Sequence, residues 1–465
     1  MLHRISILWL LAVLALLTFV ASAKGDSSPG VLKAEQGAQL EHETPLQFAP
    51  ALPGADLTAS ECPPYASAVT PATHGIVYDG GWFLRPFVPQ QSPFELKVSL
   101  QNQFRHTGFA NEEAQVVNSA GNIVPTPPLN AFDINRGRLI LSGYAWDPSL
   151  EFYTNFDYNT VSENQFQVLM AWIRKSFSPG LRVSYGIGKV PGTWEWLEAA
   201  QATLGAERSL ATTFFRPSMT AGVWVDGEPL TGVHYHALVG NGFNTFSLRS
   251  SELDTNFVYS GMLWWEPFGE FGAGFSDFEL HSEAVVRVGN AFTYNRAADD
   301  PNGSPGPEQT AIRLSDGTPV VETGVLAPGV TLQRFDLSLY TVHAGWKYAG
   351  LSLSGEYFWR WLTHLQADGP ILDNAIFDHG FFVQAAAFLR PQSLELFARG
   401  AAVFGPFGNG SEVGAGLNLY LFQQRYQRFT FDVAHVEDSP AQQDRTGFMA
   451  GASGVLFRTQ FWLSF

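Results

Sequence analysis

TQFWLSF, residues 459–465, closes the chain, and its reading decides the fold. Phe457, Thr459, Phe461, Leu463 and Phe465 fall on one parity, and Arg458, Gln460, Trp462 and Ser464 on the other. Successive side chains of a strand point to opposite faces. One face is therefore almost wholly apolar, while the other carries a charge, an amide, an indole and a hydroxyl. A soluble sheet can use such a strand too, so recurrence and destination must separate the two cases. The pattern does recur. In FELKVSLQNQFR (94–105) Leu96, Val98, Leu100 and Phe104 oppose Glu95, Lys97, Ser99, Gln101 and Arg105. In LEFYTNFDY (150–158) Leu150, Phe152 and Phe156 oppose Glu151, Asn155 and Asp157. In GLSLSGEYFWR (350–360) Leu351, Leu353, Tyr357 and Trp359 oppose Ser352, Ser354, Glu356 and Arg360.

The destination is written at the other end. Residues 1–4 form a short basic region, residues 7–20 are apolar apart from Thr18, and Ala21-Ser22-Ala23 is a small-residue cleavage site, the layout of a secretory signal over 1–23. The apolar run is shorter than the ~20 residues of a spanning helix. Losing residues 1–23 removes Arg4 alone among the charged side chains, leaving 26 basic against 43 acidic residues, a formal charge of −17. That balance argues against a nucleic-acid partner. Cys62 is the single cysteine, which excludes an internal disulfide and any C-x-x-C site, and it lies too far past the apolar run for a lipoprotein. Residues 24–77, rich in Ala, Pro, Ser, Gln and Glu, read as a flexible periplasmic leader.

From residue 78 to 465 about sixteen alternating segments follow. Tight turns such as WDPS, SFSPG, DGEP, KYAG and RPQS join segments 2–3, 4–5, 6–7, 10–11 and 12–13. Longer stretches join 1–2, 5–6, 7–8, 9–10, 11–12 and 15–16, the longest being 295–330, which reads as an external loop. The short connections at 3–4 and 13–14 and the long one at 8–9 break the alternation. In lipid every backbone polar group must be paired internally, so a sheet spans only by closing. Short periplasmic turns alternating with longer outer loops are the mark of such a barrel. The expectation is an all-β fold: a transmembrane antiparallel β-barrel of about sixteen strands in the outer membrane, both termini periplasmic.

Several stretches resemble the phosphate-selective porin O and P family: YDGGWFLRPF (78–87) with PFELKVSLQNQFRHTGFA (93–110), RGRLILSGYAWDPSLEFYTNFDY (136–158), LRVSYGIGKVPGTWEWLEAAQATLGAERSL (181–210), HGFFVQAAAFLRPQSLELFARG (379–400) and FRTQFWLSF (457–465). The resemblance covers roughly 78–465 and rests on the order of many weak motifs. It implies a homotrimeric porin whose third outer loop bends inward after strand 5 to constrict the pore. It does not by itself imply phosphate.

With apolar side chains facing lipid, parity sends Lys97, Arg105, Arg138, Arg182, Arg287, Arg334, Arg360, Arg399 and Arg458 into the lumen. Two readings stand. They form a cationic lining that draws anions through water, or they pair with lumenal acids such as Glu151, Asp157, Glu356, Glu395 and Asp432. Residues 190–218 are the candidate constriction, and TWEWLEAAQAT within it has helix-forming composition with early acids Glu195 and Glu198. Lys189 and Arg208 flank it, either as a filter at the narrowest point or as anchors of the loop. His234 and His236 share a strand face but lack a third metal ligand, and DDPNGSPGPE (299–308) lacks EF-hand spacing. No metal, cofactor or enzyme motif emerges. The functional expectation is a porin, a diffusion channel for small polar solutes with a preference for anions, phosphate-like ones among them. The alternative is a structural or adhesive barrel with a plugged lumen.

Overall fold

The computed structural model describes residues 74–78, 81–86, 94–161, 166–245, 248, 253–254, 256–298 and 312–465. The expected signal and all but the last four residues of the leader lie outside the described residues. Sixteen strands form the barrel wall, labelled here in chain order. They are β1 Phe94–Asn111, β2 Leu129–Ala145, β3 Asp147–Tyr158, β4 Phe166–Ser178, β5 Leu181–Lys189, β6 Met219–Leu230, β7 Val233–Gly240 and β8 Val258–Trp265. The second half comprises β9 Val285–Ala298, β10 Leu332–Tyr348, β11 Leu351–Ala367, β12 Ala375–Arg390, β13 Leu394–Gly405, β14 Gly408–Tyr420, β15 Gln427–Glu437 and β16 Gly454–Ser464. Each pairs antiparallel with the next. β16 returns to β1 in a register running from Gly454 opposite Asn111 to Ser464 opposite Gln101, which closes the barrel.

Alternation decides which face meets what. On β16, Leu456, Arg458, Gln460 and Trp462 are buried inside, while Val455 and Phe457 are exposed outside. Phe104, Ile173, Tyr259, Phe292, Phe377 and Phe431 add to the same exposed outer surface on other strands. An apolar surface of this extent is not left to water; it is the surface a bilayer covers. The fold is that of an outer-membrane barrel.

The terminal Phe465 seals the seam. Its N–H donates to the Leu100 carbonyl at 2.9 Å and its carbonyl accepts from the Leu100 N–H at 2.7 Å. Below that point β1 projects past the end of β16, and a hairpin of strands His74–Tyr78 and Trp82–Pro86 takes the exposed edge, with Trp82 to Leu84 opposite Val98 to Leu96. The expected leader boundary at 78 therefore falls at the end of a strand, because the unpaired β1 edge needs a partner. Deleting Phe465 removes two closing hydrogen bonds, each worth about 1 kcal/mol net, and should lower the yield of heat-modifiable folded barrel in membranes. Wild-type yield would show that closure does not depend on this residue.

The interior is not an open tube. Among the described residues four segments turn into it: residues 190–218 between β5 and β6, 312–331 before β10, 438–453 between β15 and β16, and, from the opposite end, 266–284 between β8 and β9. Their apolar side chains meet inward-facing Phe335, Leu339, Phe358, Phe382, Val403 and Leu456 of the wall. Three expectations change. Of the expected 295–330 connection, residues 295–298 belong to β9, and residues 312–330 are not an external loop but lie in the mouth, with Leu314 and Val320 fully buried. The long 8–9 connection, an exception in the sequence, is the inward segment 266–284. The lumenal face of the wall is apolar over much of β10–β13, since it packs against these segments.

Candidate functional site: the inward loop and its cations

The loop of residues 190–218 begins with Pro191-Gly192, which ends β5, and then makes two short helices, α1 Trp194–Leu197 and α2 Leu210–Phe215. Every unpaired backbone N–H inside a barrel needs an acceptor, and acids of the wall supply them. Glu356 on β11 accepts from Trp194 N–H at 2.8 Å and Glu195 N–H at 3.2 Å. Glu412 on β14 accepts from Leu210 N–H at 2.8 Å, and Asp432 on β15 from Ala206 N–H at 2.8 Å. Ser209 caps α2, its hydroxyl accepting from Thr212 N–H and donating to Glu195 at 2.7 Å.

Wall arginines hold the loop's carbonyls in return. Arg105 donates to Ala206 at 2.8 Å, Arg399 to Glu207 at 2.7 Å and Arg428 to Thr203 at 2.6 Å. The Glu207 side chain, 2% exposed, sits between Arg105, at 2.7 Å, and Arg136. Burial alone would raise its carboxyl, but the Arg136 and Arg105 guanidiniums overcome that and hold it well below the usual carboxylate range.

The expected cationic lining is mostly consumed by pairing. Arg138 meets Asp157 at 3.0 Å, Arg287 meets Glu266 at 2.7 Å, Arg360 meets Asp378 at 2.7 Å, Arg399 meets Glu412 at 2.6 Å and Arg458 meets Asp432 at 2.7 Å. Arg182 pairs with Asp226. Lys97 is half-buried, with its ammonium 5.1 Å from the centre of the Phe83 ring in the amino-terminal hairpin. Arg334 departs from the expectation: it is exposed at the outer end of β10, where the register with β11 shifts on both sides of it. That irregularity and the apolar inner face of β10 defeat the parity rule there. Of the expected lumenal acids, Glu395 accepts from Ser276, from Asn418 at 2.9 Å and from Tyr420 at 2.7 Å, so it too is structural.

The structure brings the flanking cations Lys189 and Arg208 together around one indole. Lys189 Nζ and the Arg208 guanidinium lie 5.4 and 4.8 Å from the centre of the Trp196 ring, and Arg216 lies 4.8 Å from it as a third cation. Such contacts contribute about 0.5–2 kcal/mol each. Lys189 donates to the carbonyls of Leu197 at 2.9 Å and Glu198 at 2.8 Å, and Arg208 to Glu195 at 3.0 Å and Glu198 at 2.8 Å. Both therefore hold the carboxyl end of α1, and the buried Arg208 is an anchor. Arg216 was missed by parity because it lies on the loop, not on a strand. Neither Arg208 nor Arg216 forms an ion pair among the described residues. Glu207 acts on both, and Glu195 on Arg208, but from beyond ion-pair contact, whereas the wall's arginines touch their acids.

The segment 266–284 reaches the loop from the opposite end of the barrel. Trp194 lies 5.7 Å from the Phe271 ring and 4.7 Å from the Phe275 ring. Lys347 donates to the carbonyls of Phe271 and Ala273, at 3.0 and 3.2 Å, and Arg425 to that of Ala273 at 2.8 Å. Among the described residues, Asp277, Glu279 and His281 are the group that could hold a metal ion. Asp277 already binds His281 and the Gly350 N–H, and Glu279 pairs with Arg425. His234 stacks on Trp264 at 5.1 Å.

No protein-family model and no curated protein sequence matches the chain. Solved structures do match in shape. A loop-deletion mutant of the outer membrane protein OmpT of Vibrio cholerae has a TM-score of 0.50 at 12% identity, over 80% of this chain and 100% of that one. An anion-selective porin from Comamonas acidovorans has 0.49 at 11%, over 80% and 100%, and OmpF of Salmonella typhi has 0.49 at 10%, over 84% and 100%. The first of these likenesses speaks to the fold alone, an outer-membrane barrel, in agreement with the closed sixteen-strand sheet.

Proposed function

We propose that this chain is an outer-membrane channel for small polar solutes, narrow and of low conductance, with a preference for small anions, phosphate among them. The observation that carries the reading is the inward loop with Arg208 and Arg216 stacked on Trp196 without ion-pair partners among the described residues. In a low-dielectric constriction a fixed charge acts on a passing ion far more strongly than on an open surface. Lys189 and Arg208 hold the loop at that point, and Arg216 adds positive charge beside them. The packed interior supports a restricted path rather than a wide one. It equally suits the second reading, a barrel closed by its own loops. Liposome swelling separates them. Proteoliposomes in isotonic potassium acetate, with valinomycin, should swell faster than in an isotonic disaccharide and faster than protein-free vesicles. Swelling no faster than protein-free vesicles in either medium would favour the closed barrel.

A further inference from the structure

At the end of the barrel where residues 312–331 and 438–453 turn inward lies a partly open cavity of about 200 Å³, walled by the end of α2, by residues 312–313, by β10 and β11 and by residues 440–442. Three guanidiniums line it, those of Arg216, Arg313 and Arg360, while its other walls include Phe243 and Leu337. The acid against Arg360 is Asp378, at 2.7 Å, so that charge is cancelled. Arg313 donates to the Gly317 carbonyl at 2.6 Å, and the more distant Glu322 and Asp316 act on it without pairing. Arg216 makes no ion pair among the described residues; burial and then Arg208 push its guanidinium down to about 9. Asn244, also in the wall, accepts the Ser218 hydroxyl at 2.7 Å through its oxygen, which turns its amide nitrogen to other partners.

Two guanidiniums that touch no carboxylate among the described residues, beside apolar walls, make an incomplete site. Water alone leaves the apolar walls unsatisfied, and an inorganic anion leaves them wet. We infer that this cavity binds a small carboxylate with a compact apolar body, its carboxylate between Arg216 and Arg313 and its body against Phe243 and Leu337. Charge-assisted contacts from arginine suit a carboxylate. The volume is below the ~300–1,000 Å³ of a pocket for drug-sized ligands, which fits a single ring or a short branched chain. The inference deepens the anion-channel reading by naming a class of solute at its entrance, but binding does not require conduction.

The test is calorimetric titration of the folded barrel in detergent with benzoate, with benzamide as the neutral isostere and with inorganic phosphate. Benzoate should bind about tenfold or more tightly than either. Arg216→Gln, which removes a side chain that makes no ion pair among the described residues, should lower benzoate affinity about tenfold or more and leave benzamide unchanged. Arg313→Gln should act likewise, with heat-modifiable mobility confirming that each variant is folded. Benzoate binding no tighter than benzamide, phosphate binding as tightly as benzoate, or an Arg216→Gln variant without effect would overturn the assignment. A non-conducting barrel that binds benzoate would overturn the channel and keep the site; a conducting barrel that does not bind it would do the reverse.

Discussion

Replacing Glu207 with Ala should destabilise the folded barrel by about 3–5 kcal/mol, the cost of leaving buried charge without its partner. Glu207 is the point where the inward loop locks to the wall: it accepts from Arg105 at 2.7 Å, from Arg136, and from Asn135 at 3.2 Å. Without it, Arg105 keeps Gln460 and backbone carbonyls, and Arg136 keeps Gln103, but neither keeps a carboxylate. Urea unfolding in micelles, followed by tryptophan emission, measures the loss. A change below about 1 kcal/mol, the ceiling of an ordinary exposed pair, would mean that lumenal water already solvates these groups. The pH dependence follows from the sign of the shift. Because the folded carboxyl is held below its unfolded range, its contribution is present in full above an unfolded value of about 4.3 and is lost only as pH falls toward the folded value. The difference between wild type and Glu207→Ala should therefore stay constant from neutrality into mild acid and shrink only below that.

Replacing residues 268–283 with a short Gly-Ser turn should raise single-channel conductance several-fold. This segment brings Phe271 and Phe275 against Trp194, and its Phe275 N–H meets the Ala202 carbonyl at 3.4 Å, so it packs directly beneath the inward loop. Its removal leaves Lys347, whose ammonium now holds two of its carbonyls, facing water that can replace them. The other connections on that side, such as the single residue Trp146 between β2 and β3, show that the barrel closes without such a segment. Unchanged conductance in a folded variant would place the limiting constriction at the inward loop alone.

The strands were legible because lipid enforces alternation. Residues 457–465 could be read directly, and Phe457 outward with Arg458 inward is what the structure holds. Alternation failed where both faces are apolar. In β10 Phe335, Leu337 and Leu339 face the packed interior while Tyr340 and Val342 lie on the opposite face, so parity had no polar side to follow and Arg334 was placed in the lumen. The inward loop was legible as a long connection with helix-forming residues. Alternation does not reveal that residues 266–284 and 312–330 turn inward, although EPFGEFGAGF (266–275) carries more phenylalanine than a water-exposed turn would keep. That excess was the available signal. The fate of the arginines was beyond sequence, because whether Arg399 lines a pore or holds a loop depends on Glu412 and the Glu207 carbonyl arriving beside it from distant parts of the chain.

The sign of selectivity tests the account most directly. In a planar bilayer under a potassium chloride gradient, the wild-type channel should give a reversal potential on the anion side, and Arg216→Glu should move it toward cations by placing an acid beside Trp196. A cation-selective wild type, or an Arg216→Glu variant with an unchanged reversal potential, would contradict a cationic constriction at the inward loop.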